Sequence, residues 1–187
     1  MNLYLDTSYE DFVLVLFDNN FKVVDYILLQ GYKKKVNLIT AEFSKILDKN
    51  NLDIDKLGSL YTNIGPGFFT GVRSSLVFLR TIALVNHNKM FITTTLDLLR
   101  QQYPSNSKFH TDAQGKKIYE YNLDIFDENN YAEAIKVIHA SDEIALDKVD
   151  YQEVINNFAN YKNCFIEMPS MEIEPLYIKE PQIGGQK

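Results

Sequence analysis

The chain opens on two short apolar runs, Asn2–Thr7 and Phe12–Phe17, separated by a few polar residues. Asp18-Asn19-Asn20 follows, a turn in which asparagine tolerates a positive φ, and Phe21–Leu29 returns as a third strand. Three strands joined by hairpin-length loops predict an antiparallel meander. The period then changes. In Lys35–Asn50 the apolar residues Val36, Ile39, Phe43, Ile46 and Leu47 fall on one helical face. Leu57–Ile64 reads as a strand, Gly65-Pro66-Gly67 as a break, and Thr70–Asn86 as a second helix. Phe91–Thr94 is a further strand and Leu96–Gln101 a brief helix. A meander followed by strand–helix alternation predicts an α/β mixed sheet covered by helices.

Tyr103–Ser107 is a loop-like boundary, which divides the chain into residues 1–102 and 103–187. Beyond it the pattern weakens. Lys108–Ala113, Lys117–Phe126 and Ala132–Ala140 read as strands, Asp150–Phe158 as a helix, Cys164–Glu167 as a last strand, and Glu180–Lys187 as a polar tail.

The second helix is apolar on nearly every side. With Val72 at zero and 100° per residue, Leu76, Leu79 and Ala83 lie near zero. Phe78, Ile82 and Val85 lie at about 220–280° and Val77 and Leu84 at about 120–140°. Arg73 and Arg80 hold one narrow polar stripe. Such a helix is buried on more than one side. Either it lies wholly inside its own core, or a neighbouring molecule covers one face.

Composition narrows the functional classes. Of 187 residues 45% are hydrophobic and 24% charged, enough for a packed core. Lys+Arg 19 against Asp+Glu 25 gives a net charge of −6, a poor balance for gripping nucleic acid through its phosphates. One cysteine, Cys164, allows neither an internal disulfide nor a thiolate metal cluster. Met1–Asp6 lacks the features of a secretory signal, and no run of about 20 apolar residues would span a bilayer. A cytoplasmic protein away from membranes is expected.

Two loops carry candidate chemistry. Asp6-Thr7-Ser8, at the end of the first strand, offers a carboxylate and two hydroxyls that could orient a magnesium-bound phosphate, or simply stabilise a turn. Gly65-Pro66-Gly67-Phe68-Phe69-Thr70-Gly71-Val72-Arg73 joins a strand to a helix. Its glycines let backbone approach another molecule, and a helix start favours anions; equally, it could be a rigid connector with Thr70 as N-cap. Arg73 in the first turn opposes the helix dipole, which predicts a carboxylate or phosphate partner. No Gly-Lys-Ser/Thr follows, so this is not a Walker loop. His87, His110 and His139 are scattered, Cys164 sits in an apolar run, and Lys33-Lys34-Lys35 reads as a solvated loop.

These motifs together resemble the bacterial TsaB (YeaZ) family. The resemblance rests on Leu3-Tyr4-Leu5-Asp6-Thr7-Ser8 and on Gly65-Pro66-Gly67 with Phe69-Thr70-Gly71-Val72-Arg73. It extends to Thr111-Asp112-Ala113 before Lys117-Ile118-Tyr119, and to Glu174-Pro175-Leu176-Tyr177-Ile178-Lys179. Phe68 stands where the family has a serine, and Ser74-Ser75 where it has an apolar residue and a glycine. The resemblance implies an actin-like, ribonuclease-H-type fold: an N-terminal lobe over residues 1–102 and a reduced lobe over 103–187.

It also implies a non-catalytic relative of TsaD, the subunit that transfers the threonylcarbamoyl group in tRNA modification. TsaD-like proteins carry two metal-binding histidines on the first long helix; Lys35–Asn50 has none, so no metal is expected there. The implied partners are TsaD and TsaE, with tRNA reached only through the complex and a homodimer when alone. The expected partner face comprises Val36, Ile39, Phe43, Val72, Leu76, Leu79, Arg80 and Ala83. Asp6, Thr7, Ser8, Gly65, Pro66, Gly67, Thr70, Gly71 and Arg73 form the expected nucleotide or partner loop, with ATP or ADP at the junction rather than a cofactor of its own. The alternative is a small ATPase or kinase of the same fold, with Asp6 orienting a metal.

Overall fold

A computed structural model describes residues 1–32, 35–125 and 131–179. Strands β1 (Asn2–Asp6), β2 (Phe12–Phe17) and β3 (Val23–Leu29) form the meander. β4 (Ser59–Asn63) and β5 (Lys89–Thr93) lie parallel to β1, and β9 (Ile166–Met168) closes the far edge antiparallel to β5. The six-stranded order is β3-β2-β1-β4-β5-β9. A separate antiparallel sheet holds β6 (Lys108–Asp112), β7 (Lys117–Asn122) and β8 (Ile135–His139). This is the mixed α/β architecture anticipated from the pattern.

Strands β1 and β2 are buried along their whole length because both faces of the sheet are covered. Their alternation sorts side chains between two cores. Leu3, Leu5, Leu14 and Leu16 face α1 (Ile39–Lys49) and α2 (Phe69–Asn86). Tyr4, Val13, Val15 and Phe17 face α3 (Thr95–Gln102), α4 (Tyr151–Asn156) and the second sheet. That second core is aromatic: Phe17 lies 4.7 Å from Phe158 and 5.0 Å from Tyr61, centroid to centroid, favourable tilted pairs.

Several boundaries differ from the sequence reading, each for a local reason. Phe21 belongs to the turn, not to β3. Asp18 Oδ1 accepts from the Asn20 and Lys22 amides, and Phe21 itself adopts the positive φ (60°) expected of an asparagine. Its ring is anchored 5.7 Å from Tyr61, so tertiary packing overrides the local preference. Residues Lys35–Leu38 form a 3₁₀ turn ahead of α1. The helix after the glycine loop begins at Phe69 with Phe68 as its N-cap, and no side chain caps it; Thr70 is already helical.

In the second half β7 stops at Asn122 before a 3₁₀ turn, Leu123–Ile125. Tyr131–Ala134 is likewise a 3₁₀ turn, so the predicted strand begins only at Ile135. The helix expected over Asp150–Phe158 is α4, capped by Asp150, whose Oδ1 accepts from the Gln152 and Glu153 amides; a 3₁₀ stretch, Phe158–Cys164, follows. Phe126, Lys33, Lys34 and the tail Glu180–Lys187 lie outside the described residues. The expected division at residue 102 falls at the end of α3, while β9, from the second half, pairs within the first sheet.

Candidate functional site

The Asp6–Ser8 loop sits where β1 ends, between β4 and α2, and is wholly buried. Asp6 Oδ2 accepts hydrogen bonds from the Tyr4 hydroxyl (2.7 Å), the Tyr151 hydroxyl (2.5 Å) and Asn63 Nδ2 (3.0 Å), and Oδ1 from the Ser8 amide (2.8 Å). Burial and the adjacent Asp6 charge hold the Tyr4 and Tyr151 phenols well above their ordinary range, so both remain donors. Thr7 Oγ1 donates to Gly71 O (2.7 Å), and Ser8 Oγ accepts from Asn63 Nδ2 (3.1 Å). The triplet binds the two halves of its own chain together. Three internal donors fall on Asp6 Oδ2 and one on Oδ1, and Thr7 and Ser8 likewise bond within the chain, so the structure shows the triplet holding its own fold together, the turn-stabilising side of the two readings.

The glycine loop is read differently too. A Cβ on Gly67 would fall 2.6 Å from Ser8 O, and one on Gly71 would overlap Thr7 O outright. The backbone these glycines approach is the chain's own. Gly65, at φ 101°, adopts a conformation that side-chain-bearing residues avoid, and its amide donates to Asn63 Oδ1 (2.8 Å). Pro66 O accepts from Thr95 Oγ1 (3.0 Å), and the Phe68 amide donates to Ser8 O (2.6 Å). Loop amides at Gly65 and Phe68 are thereby consumed internally. Thr70 is exposed on the helix start.

For Lys35 the solvated-loop reading of the basic run is overturned. The side chain is buried; its Nζ donates to Thr7 O (3.1 Å) and lies 5.6 Å from the Phe68 ring centre. Burial lowers its pKa, against the opposing pull of Asp6, Glu10 and Asp11. The run of three lysines gives no sign in the sequence that Lys35 is buried; Lys33 and Lys34 lie outside the described residues.

The helical face divides in two. Ile39, Phe43, Leu76, Leu79 and Ala83, all expected at a partner interface, are buried in the core against the main sheet, and Val72, also expected there, is buried beside the glycine loop. This corrects the interface list: the near-zero arc of α2 is the one that meets the sheet. Arg80 is also turned inward, its guanidinium donating to Ile173 O. The sector left in solvent runs from Arg73 through Val77 (56% exposed) and Leu84 (48%) to Val85 (72%). Of the expected interface residues Val36 alone is exposed, and it faces Val77 and Phe78 across an open groove of about 500 Å³ between α1 and α2.

Arg73 stands at one end of this groove. The carboxylate or phosphate partner expected for it is replaced by an aromatic one: its guanidinium lies 4.9 Å over the Phe69 ring, which stacks 5.3 Å from Tyr177. Tyr151, remote in sequence from the loop it serves, carries no local pattern that would have singled it out, and Tyr177 stood out only as a member of the Glu174–Lys179 motif; Asn63 was findable only as a polar residue closing an otherwise buried strand.

A second cleft, about 460 Å³, lies between the sheets beside Tyr9 and Thr111, with Glu10, Asp11, Asp112 and Asp147 around it. Those carboxylates serve neighbouring backbone or cations: Asp11 accepts from the Gly31 amide, Asp147 from the His110 amide, and Glu10 pairs with Lys148. Among the described residues no three of His, Cys, Asp and Glu come together as a metal would require, and His110 pairs with Glu120 at 3.2 Å. Burial pushes the Cys164 thiol up to about 12, away from nucleophilic use. No helix among the described residues is long and apolar enough to cross a membrane.

No family model matches the chain. It is 28% identical over 196 residues to an uncharacterized MG208 homolog of Mycoplasma pneumoniae, covering 96% of this chain and 95% of that protein. Among solved structures it is similar to YeaZ from Pseudomonas aeruginosa, with a TM-score of 0.62 at 15% identity over 95% of this chain and all of that one. A protein with similarity to peptidase YeaZ from Pseudomonas aeruginosa aligns with a TM-score of 0.61 at the same identity, over 96% of this chain and all of that one. The chain therefore shares the actin-like mixed α/β fold of YeaZ.

Proposed function

We propose that this chain is a non-catalytic partner subunit of the TsaB (YeaZ) type, docking through its α1–α2 face on TsaD and supporting threonylcarbamoylation of tRNA in the cytoplasm. The observation that carries the reading is the exposed apolar sector of α2: Val77, Leu84 and Val85 stand in solvent beside an open groove. Apolar surface of this kind gains by association. The full-length likeness to the YeaZ fold and the family motifs of the sequence agree with it. In this reading TsaE joins the assembly, tRNA is contacted by other subunits, and any ATP or ADP sits at the junction with TsaD. Against the ATPase alternative, Asp6, its metal-orienting residue, already accepts from Tyr4, Tyr151, Asn63 and the Ser8 amide.

Mixing purified chain with TsaD tests the proposal. Binding and a rise in tRNA modification are expected. Val77→Asp and Leu84→Asp, both on the exposed sector, should weaken binding by tenfold or more while leaving thermal stability within about 0.5 kcal/mol. Absence of binding by the native chain would remove the proposal.

A further inference from the structure

The chain beyond β9 forms a strap that is held unevenly along its length. It turns at Pro169–Glu172, where the Glu172 amide donates to Pro169 O (2.9 Å). Ile173 is then wholly buried in the core under α1 and α2, and the Arg80 guanidinium donates to its carbonyl. From Pro175 the strap passes the end of β4 and lies over the opposite, aromatic core. Leu176 and Ile178 pack against that core, yet each residue of Pro175–Lys179 is half-buried or exposed. Three contacts hold this outer part. The Leu176 amide donates to Ile64 O (2.8 Å), the Tyr177 ring stacks on Phe69, and Lys179 Nζ donates to the carbonyls of Ala113 (2.8 Å) and Gln114 (2.9 Å).

The carbonyls that receive Lys179 belong to the turn between β6 and β7. There Gln114, Gly115 and Lys116 all take a left-handed backbone, with φ 59°, 64° and 60°. Side-chain-bearing residues keep that conformation where surrounding contacts over-determine it, and Lys179 supplies two such contacts. Beneath the outer strap lies a cavity of about 210 Å³, bordered by Gly67, Val72, Ala113 and Tyr119. Side chains over a void forgo the attraction that close packing provides, so lifting this part forfeits less than parting a filled interface. A segment with few buried contacts opens at a lower free energy than the fold that carries it. We infer that Pro175–Lys179 is a latch that opens and recloses on the folded protein, turning about the buried Ile173, with the Lys179 ammonium and the Tyr177–Phe69 stack as its catch. Closed, it roofs the cavity and ties the first turn of α2 to the β6–β7 turn. Open, it uncovers Val72 and Tyr119, releases Phe69 and relaxes the left-handed turn, while both cores stay intact. The inference does not depend on the proposed function.

The test is native-state hydrogen exchange of the full chain, read amide by amide along a urea series below the unfolding transition, where reclosing outpaces exchange. The Leu176 amide reports the latch, and the amides of β1 report global unfolding in the same sample. Leu176 should exchange at least about a hundredfold faster than β1, at a rate almost independent of urea because opening exposes little surface. Lys179→Gln should speed Leu176 exchange by about tenfold, the loss of a charged hydrogen-bond donor. Tyr177→Ala should speed it several-fold, and Lys179→Arg should stay near native. Gly31→Ala, remote from the strap, should speed β1 exchange and leave Leu176 unchanged, because the contact it strains survives latch opening. If Leu176 in the native chain follows β1 in both rate and urea dependence, the strap parts only when the whole fold does, and the latch is overturned. If Leu176 exchanges fast but Lys179→Gln and Tyr177→Ala both leave it within twofold of native, the segment has no such catch and the inference fails.

Discussion

Asp6 shows how one side chain changes meaning once its neighbours are known. In the sequence it is a carboxylate at a strand end, equally suited to a turn or to a metal-bound phosphate. In the fold it is the acceptor at the centre of a buried network whose donors come from β1, β4 and α4. Asp6→Asn turns an acceptor-only group into one that presents N–H to two phenols, so at least one donor loses its partner. Unfolding in urea should show a loss of about 3 kcal/mol, a cost a surface ligand-binding carboxylate would not incur. The strand, and the polar residue ending it, were legible because period and composition are local. The role of Asp6 was not, because Tyr151 lies 145 positions away. Lys35 was misread for the same reason: its burial depends on Thr7 O and Phe68, not on the lysines beside it.

The entry of α2 shows the same logic over a longer piece of chain. The pattern located the helix within one residue because eighteen residues of apolar repeat leave little ambiguity. It could not choose which apolar arc meets the sheet, since a helix apolar all round offers several equivalent ones. The glycines decide how close the helix comes. Gly71 lets the first turn lie directly on Thr7, whose Oγ1 donates to Gly71 O at 2.7 Å. Gly71→Ala puts a methyl into that carbonyl and must push α2 away from β1. A loss of about 2–3 kcal/mol in thermal or urea unfolding is expected, together with weaker partner binding, because Val77 and Arg73 ride on the displaced helix. Gly31→Ala, with nothing within 4 Å but φ at 66°, should cost about 1 kcal/mol from backbone strain alone.

At the scale of the molecule, buried phenols set the alkaline limit. Burial raises Tyr4, Tyr9 and Tyr151 well above the ordinary value and Tyr61 to about 12. Raised folded-state values mean that the native form favours the neutral phenol. Their contribution is complete below the unfolded value near pH 10 and is lost as pH climbs past it toward the folded values. Urea midpoints should hold to about pH 10 and then fall steeply, with buried phenolate absorbance growing only as the protein unfolds; Tyr151→Phe should soften that fall. The first hundred residues were readable because their elements alternate regularly. The rest relies on 3₁₀ turns and distant contacts that leave little periodic trace. One of those distant contacts governs biogenesis. Phe91 of β5 finds its edge partner in Glu167 of β9, so during synthesis that edge of the sheet stays open until β9, more than seventy residues later, has emerged. A nascent chain halted near residue 102 would present a sticky strand and an uncovered aromatic face, making it a client for chaperones rather than a working half.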